Sequence, residues 1–172
     1  MNYKELNALI SLLEDPDKEV FDYIKSRLID LGIRVLPELE NAWESNFYSL
    51  VQDRAEKIIH DIHFKDIVNS LKKWIQKKDK NILEAWFIIS KYQYPDIDEQ
   101  IYRTKLYNLV SQIYNEIEDA HSELEKISAF NKVFFTQNGF RGDTKNFQSP
   151  DNSFINTVID KHIGIPISLS ML

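Results

Sequence analysis

Apolar residues recur every three or four positions along almost the whole of this chain, and only four glycines and five prolines interrupt them. That period is the signature of helices that bury one face. Leu6, Leu9, Ile10 and Leu13 share a face. Asp15-Pro16 then suits an N-cap followed by a first helical position. Val20, Phe21, Ile24, Leu28 and Leu31 repeat at the same spacing up to Gly32, a suitable left-handed stop. Pro37 opens a helix carrying Leu36, Leu39 and Trp43. Residues 47–63 form the next, and 64–76 continue with Ile67, Leu71, Trp74 and Ile75. Residues 81–92 are apolar nearly all round, which predicts a central helix. Asp96 or Asp98 caps a long helix to about Ala120, and 123–137 supply another with Leu124, Ile127, Phe130, Val133 and Phe134. No segment alternates with period two. The expected class is all-α, one array of about eight to ten helices, with Trp43, Trp74 and Trp86 in its core.

The character changes at residues 138–151, where Gly139 and Gly142 suit tight turns. Pro150-Asp151-Asn152-Ser153 starts a helix that turns Phe154, Ile155, Val158 and Ile159 inward and ends at Gly164. Pro166 fits the first turn of one more. The chain closes on Ile165-Pro166-Ile167-Ser168-Leu169-Ser170-Met171-Leu172, an apolar segment without a polar tail. The expectation is that these 172 residues are the front part of a longer protein, with Met171 and Leu172 an exposed, adhesive edge.

Composition narrows the function classes. A net charge of −6 argues against a general electrostatic grip on nucleic acid. Lys72, Lys73, Lys77, Lys78 and Lys80 are read as a solvated helix end. The lack of cysteine removes disulfides, thiolate metal sites and a thiol nucleophile from this sequence, and is compatible with the cytoplasm. No signal peptide and no membrane-spanning window are read from it. No cofactor is expected, and no phosphate-binding glycine loop occurs.

Two resemblances refine this picture. Residues Asp17 to Trp43 resemble one HEAT-type helical repeat, with an acidic start, an apolar helix, Leu31-Gly32 and a second helix opened by Pro37. Four blocks near the end carry the other: Asn131-Lys132-Val133-Phe134-Phe135, Gly139-Phe140-Arg141-Gly142, Pro150 to Ile159, and Gly164 to Ser170. In this order they resemble the bacterial transglutaminase-like family historically labelled Sir-B and linked by name to invasion-gene regulation. The division expected is a HEAT-like region over 1–95 and, over 96–172, the helical front of a transglutaminase-like domain cut at its C-terminus.

That resemblance implies a papain-like core, with a nucleophile at the N-terminus of a buried helix and a His and an acid on later strands. A helix N-terminus lowers a thiol pKa and the His acts as base. Active relatives open that helix with Gly-x-Cys. Here Gly164-Ile165-Pro166 stands at that place, and proline is no nucleophile. Ser168, two residues on, is the remaining catalytic candidate. A non-catalytic cytoplasmic interaction module, meeting a protein or peptide and no nucleic acid or membrane, is therefore expected. The alternative is a papain-like hydrolase or acyltransferase completed beyond residue 172. A transcriptional regulator acting through partners is suggested by the historical label alone.

Three further groups carry possible chemistry. Arg141 could clamp an anion, or tie loop carbonyls or Asp143. Asn152 and Asn156, four apart at a helix start, could line a polar cleft or cap and pin the loop. Glu56, His60 and His63 lie on adjoining faces of one helix, where a metal could bridge them, although a helical metal centre needs a second such set. Of the solitary histidines, His162 suits a helix C-terminus as a cap.

Overall fold

The computed structural model describes residues 3–172. Helices account for most of them, in two compact units, Met1–Lys77 and Lys78–Leu172.

In the first unit α1 is Tyr3–Ser11, α2 Lys18–Leu31, α3 Leu36–Ser45 and α4 Ser49–Gln76, with 3-10 turns at Leu12–Glu14 and Gly32–Val35. The α2 start lies later than the Asp15-Pro16 signal. Asp15 Oδ1 instead accepts from Asp17 N (2.9 Å), and Asp17 is the N-cap, accepting from Glu19 N (2.7 Å). Gly32 takes a positive φ of 68° at the end of α2, where an L side chain would be strained. Residues 49–76 make one continuous helix, because neither glycine nor proline interrupts its turns. Leu13, Leu28, Leu39, Ala55 and Ile58 are fully buried in the core of this unit. Arg54 braces its edge. Its Nη1 donates to Leu13 O (2.9 Å) and to Asp15 O, and its guanidinium lies 4.6 Å from the centre of the Phe21 ring.

The second unit holds α5 Ile82–Ser90, α6 Glu99–Ile117, α7 Glu123–Asn131, a π-helical turn Lys132–Gln137, β1 Arg141–Gly142, a 3-10 turn Pro150–Ser153, α8 Ile155–Lys161, β2 Ile163–Gly164 and α9 Pro166–Ser170. Asp98 caps α6, accepting from Gln100 N (2.9 Å). Trp86 and Phe87 of α5 pack on Ile155, Val158 and Ile159 of α8. A neighbouring cluster joins Leu109, Val133, Phe134 and Phe140, and Leu169 and Leu172 pack against both. So α5, which the resemblances group with the HEAT-like region over 1–95, shares a core with α8.

Several sequence expectations change. The 123–137 helix loosens after Asn131 into a π turn, since the N–H and side-chain amide of Asn138 both reach five residues back to Val133 O (3.0 and 2.9 Å). His162, not Gly164, ends α8, and Gly164 enters a strand. The two short strands pair in parallel, Arg141 with Ile163 and Gly142 with Gly164. Trp86 alone among the tryptophans is fully in the core, while Trp43 is 42% exposed. Met171 and Leu172 are half-buried against the Trp86–Ile155 cluster and do not form an exposed edge.

Candidate functional site

The site region runs from the π turn to α9, and a single carboxylate organises its loop. Asp143 Oδ1 accepts from Asn146 N (2.8 Å) and Lys145 N (3.1 Å), and its Oδ2 accepts from Asn152 Nδ2 (3.1 Å). These bonds, the Asn146 amide foremost, hold the Asp143 carboxyl below its ordinary pKa against a weaker upward push from burial. Asn152 is almost fully buried and also donates to Asn146 O (2.9 Å). An amide is needed there, because the side chain faces one carboxylate and backbone carbonyls and must donate to all of them. Lys161 pairs with Asp151 across the loop mouth (2.6 Å), and the Lys161 pKa is raised by that bond. A cavity of about 780 Å³ opens among Asp143, Asn146, Phe147, Asp151, Asn152 and Lys161.

The loop is fastened from outside as well. Trp86 Nε1 donates to Ser153 O (2.7 Å), and Ile155 N donates to Ser90 Oγ (2.9 Å). Thr157 Oγ1 donates to Phe154 O (2.8 Å) and to Asp151 O. The first two bonds satisfy Ser153 O and Ile155 N where the 3-10 turn breaks before α8, and Thr157 adds a second bond to carbonyls that already accept from Val158 N and Phe154 N. Asn156, 8% exposed, is different, for its Oδ1 is buried without a hydrogen-bond partner.

At the start of α9 the chain passes β2 and turns at Ile165. Pro166 takes the first helical turn, where its missing N–H costs nothing. Ser168 Oγ accepts from Ile165 N and donates to Ile165 O, both at 3.0 Å, and the residue is 2% exposed. Gly164 makes room for it, since a Cβ there would lie 2.6 Å from Ser168 Oγ and 3.2 Å from Val158 Cγ1.

The structure thus brings Asn152 to Asp143, and Ser168 to Gly164 and Ile165. Among the described residues no hydrogen bond or ion pair joins Arg141, Asn152, Asn156 and Ser168 to one another. Arg141 is exposed, and Asp143, one of its two expected partners, is held by Asn146, Lys145 and Asn152. In the first unit, His60 lies 3.7 Å from Asp61, and Asp61 pairs with Lys25 at 2.5 Å. Among the described residues no group of three or more His, Cys, Asp or Glu could hold a metal ion, so Glu56, His60 and His63 do not assemble a centre.

Sequence reasoning named Asp143 only as a partner for Arg141 and missed it as the hub of the loop, although Asp-x-Lys-Asn is a recognisable Asx-turn signal. It also missed a second polar group. Tyr102 Oη donates to Asp160 Oδ2 (2.9 Å), and Lys105 Nζ donates to Asp160 Oδ1 (2.5 Å). Burial, then Asp160, pushes the Tyr102 pKa up to about 12. Asp160 lies more than 50 positions from Tyr102 and Lys105, and no local motif announces the group.

Comparison with known proteins places this region. Residues 100–172 match the family model described as the transglutaminase-like superfamily. Over 91 residues the chain is 29% identical to a UPF0162 protein of Xylella fastidiosa strain Temecula1, covering 53% of this chain and 32% of that protein. It is 26% identical over 144 residues to the F-box only protein 21 of Mus musculus, covering 69% of this chain and 23% of that protein, and equally to that of Homo sapiens. The chain spans about a third of the bacterial relative's length and less of the mammalian ones. No solved structure matches significantly. No helix among the described residues is long and apolar enough to cross a membrane.

Proposed function

We propose that this chain is a non-catalytic, cytoplasmic interaction module built on a transglutaminase-like front. The observation that carries the proposal is the start of α9. Pro166 stands where the family's nucleophile is expected, and both local bonds of the Ser168 hydroxyl go to the Ile165 backbone in a buried turn. A hydroxyl so held is a structural cap, whereas a nucleophile needs a base within hydrogen-bond reach and an open approach. The partner is a protein or peptide, and no cofactor, nucleic acid or membrane takes part. The exposed Trp43, Phe47 and Tyr48 at the α3–α4 corner and the helical opening support such a role.

The test is turnover by the protein of an activated ester and of a glutamine-donor amide with a primary amine. No rate above buffer is expected. Turnover that disappears in Ser168→Ala would establish the papain-like hydrolase or acyltransferase instead. DNA binding that falls with rising salt would support direct regulation of transcription and count against the module.

A further inference from the structure

Beside the site, on the α6 flank of α8, lies a second cleft of about 260 Å³. Leu109, Phe140 and Ile159 make its apolar floor, and Lys105, Asn108, Gln112 and His162 stand at its rim. Two uncommon backbone devices converge there. The π turn ends at Asn138, and His162 is the one non-glycine residue with positive φ among the described residues (φ 53°, ψ 31°). Both conformations are rare and recur at functional sites. A column of near-parallel rings holds the His162 imidazole in place. Phe130 stacks on Phe134 (5.2 Å between centroids), Phe134 on Phe140 (4.5 Å), and Phe140 on His162 (4.6 Å).

The rim carries several hydrogen-bond donors. Each Asp160 oxygen accepts one bond, Oδ1 from Lys105 and Oδ2 from Tyr102. Gln112 Oε1 is occupied by Asn138 Nδ2 (2.9 Å), which leaves the Gln112 amide hydrogens over. Lys105 spends one of its three hydrogens on Asp160. The Asn108 amide and a ring N–H of His162 add further donors. These donors stand above an apolar floor, beside the acceptor oxygens of Asn108, Asn138 and Asp160, and the volume is smaller than that of a drug-sized site. We propose that this cleft binds a small carboxylate bearing one apolar substituent. The carboxylate meets Lys105, Gln112 and His162, and the substituent lies on Leu109, Phe140 and Ile159. The overall charge of −6 offers anions no general attraction, so affinity must come from these local donors. The inference stands apart from the question of turnover at α9. The ligand is either a free carboxylic acid or the C-terminal residue of a peptide.

The test is a titration of the full chain followed by the imidazole signals of His162 and the ring signals of Phe140. His162→Asn assigns the former, since Asn tolerates the left-handed conformation. The probes are N-acetyl-leucine, its neutral amide, and an acetylated tetrapeptide ending in leucine. Saturable shifts at both residues are expected with the acid. Binding should weaken about 10- to 100-fold for the amide and for the acid with Lys105→Gln, the range for a lost charge-assisted bond. Lys105 is exposed, and an unchanged Trp86 indole signal shows that the variant is folded. Tighter binding of the tetrapeptide than of the acid assigns the peptide C-terminus as the source, and equal or weaker binding assigns the free acid. Absence of saturable His162 shifts with every probe, or equal binding of acid and amide, overturns the proposal.

Discussion

Substituting Gly164 by alanine tests the architecture at the head of α9. The new Cβ would lie 2.6 Å from Ser168 Oγ, a separation that real Cβ atoms essentially never show. The hydroxyl cannot yield cheaply, because two 3.0 Å bonds tie it to the Ile165 backbone. Displacing it costs about 1 kcal/mol for each of those bonds. The methyl also meets Val158 Cγ1 at 3.2 Å and Leu169 Cδ2 at 3.3 Å in a packed core, and mild overpacking adds about 1–2 kcal/mol. Gly164→Ala should therefore destabilise the second unit by about 3–4 kcal/mol. Ser168→Ala removes the obstacle along with its bonds and should cost about 1–2 kcal/mol. In the double variant the clash with Oγ no longer exists, so the combined loss should fall short of the sum by about 1–2 kcal/mol. Urea unfolding read from the Trp86 indole resonance, which depends on the bond to Ser153 O, reports this unit directly. The Gly164→Ala midpoint should drop by roughly 1–2 M urea. An unchanged midpoint, or strict additivity of the two substitutions, would refute the reasoning.

The loop and the Tyr102 group give further expectations. Asn152→Asp would place a carboxylate against Asp143 and the Asn146 carbonyl in a buried position, and should cost about 2–4 kcal/mol by the same indole measurement, more than Asn152→Ala. Asp143 should titrate below the ordinary aspartate value of 3.8 in a carboxyl-detected NMR series. Because its folded pKa is depressed, its contribution to stability is present above the unfolded pKa and is lost as pH falls through the folded one. Tyr102 should be the tyrosine that ionises near pH 12 in an ultraviolet titration, and Tyr102→Phe should delete that step. Its raised pKa favours the fold below pH 10, and that contribution is lost as pH rises from about 10 to 12.

Much of the helical plan is legible in the sequence, because a buried helical face writes itself into local spacing. Leu28, Leu39 and Ile58 fall on that period and are fully buried, and Asp98 caps α6 as its position predicts. Pro166 was legible too, for its chemistry does not depend on its surroundings. Helix ends were read less well. The start of α2 moves from Asp15 to Asp17 through local bonds, Asp15 Oδ1 accepting from Asp17 N and Asp17 Oδ1 from Glu19 N, and α8 ends at the left-handed His162 while Gly164 pairs in a strand. Trp43 has the same local spacing as Trp86, yet Trp43 is exposed, while Trp86 is buried against Ile155, Val158 and Ile159 of α8 in its own unit.

For the site, the sequence by itself determined which chemistries are available. It supplies no thiol, a proline two residues after Gly164, and a loop rich in Asp and Asn. Tertiary structure alone decided what these residues do. It turned Ser168 into the cap of a buried turn, made Asp143 the hub of the loop, and joined Tyr102 and Lys105 to Asp160. The physical reason is range. Helical period and capping act over three or four residues, whereas a hydrogen bond between positions 102 and 160 exists only after the intervening chain has folded back on itself.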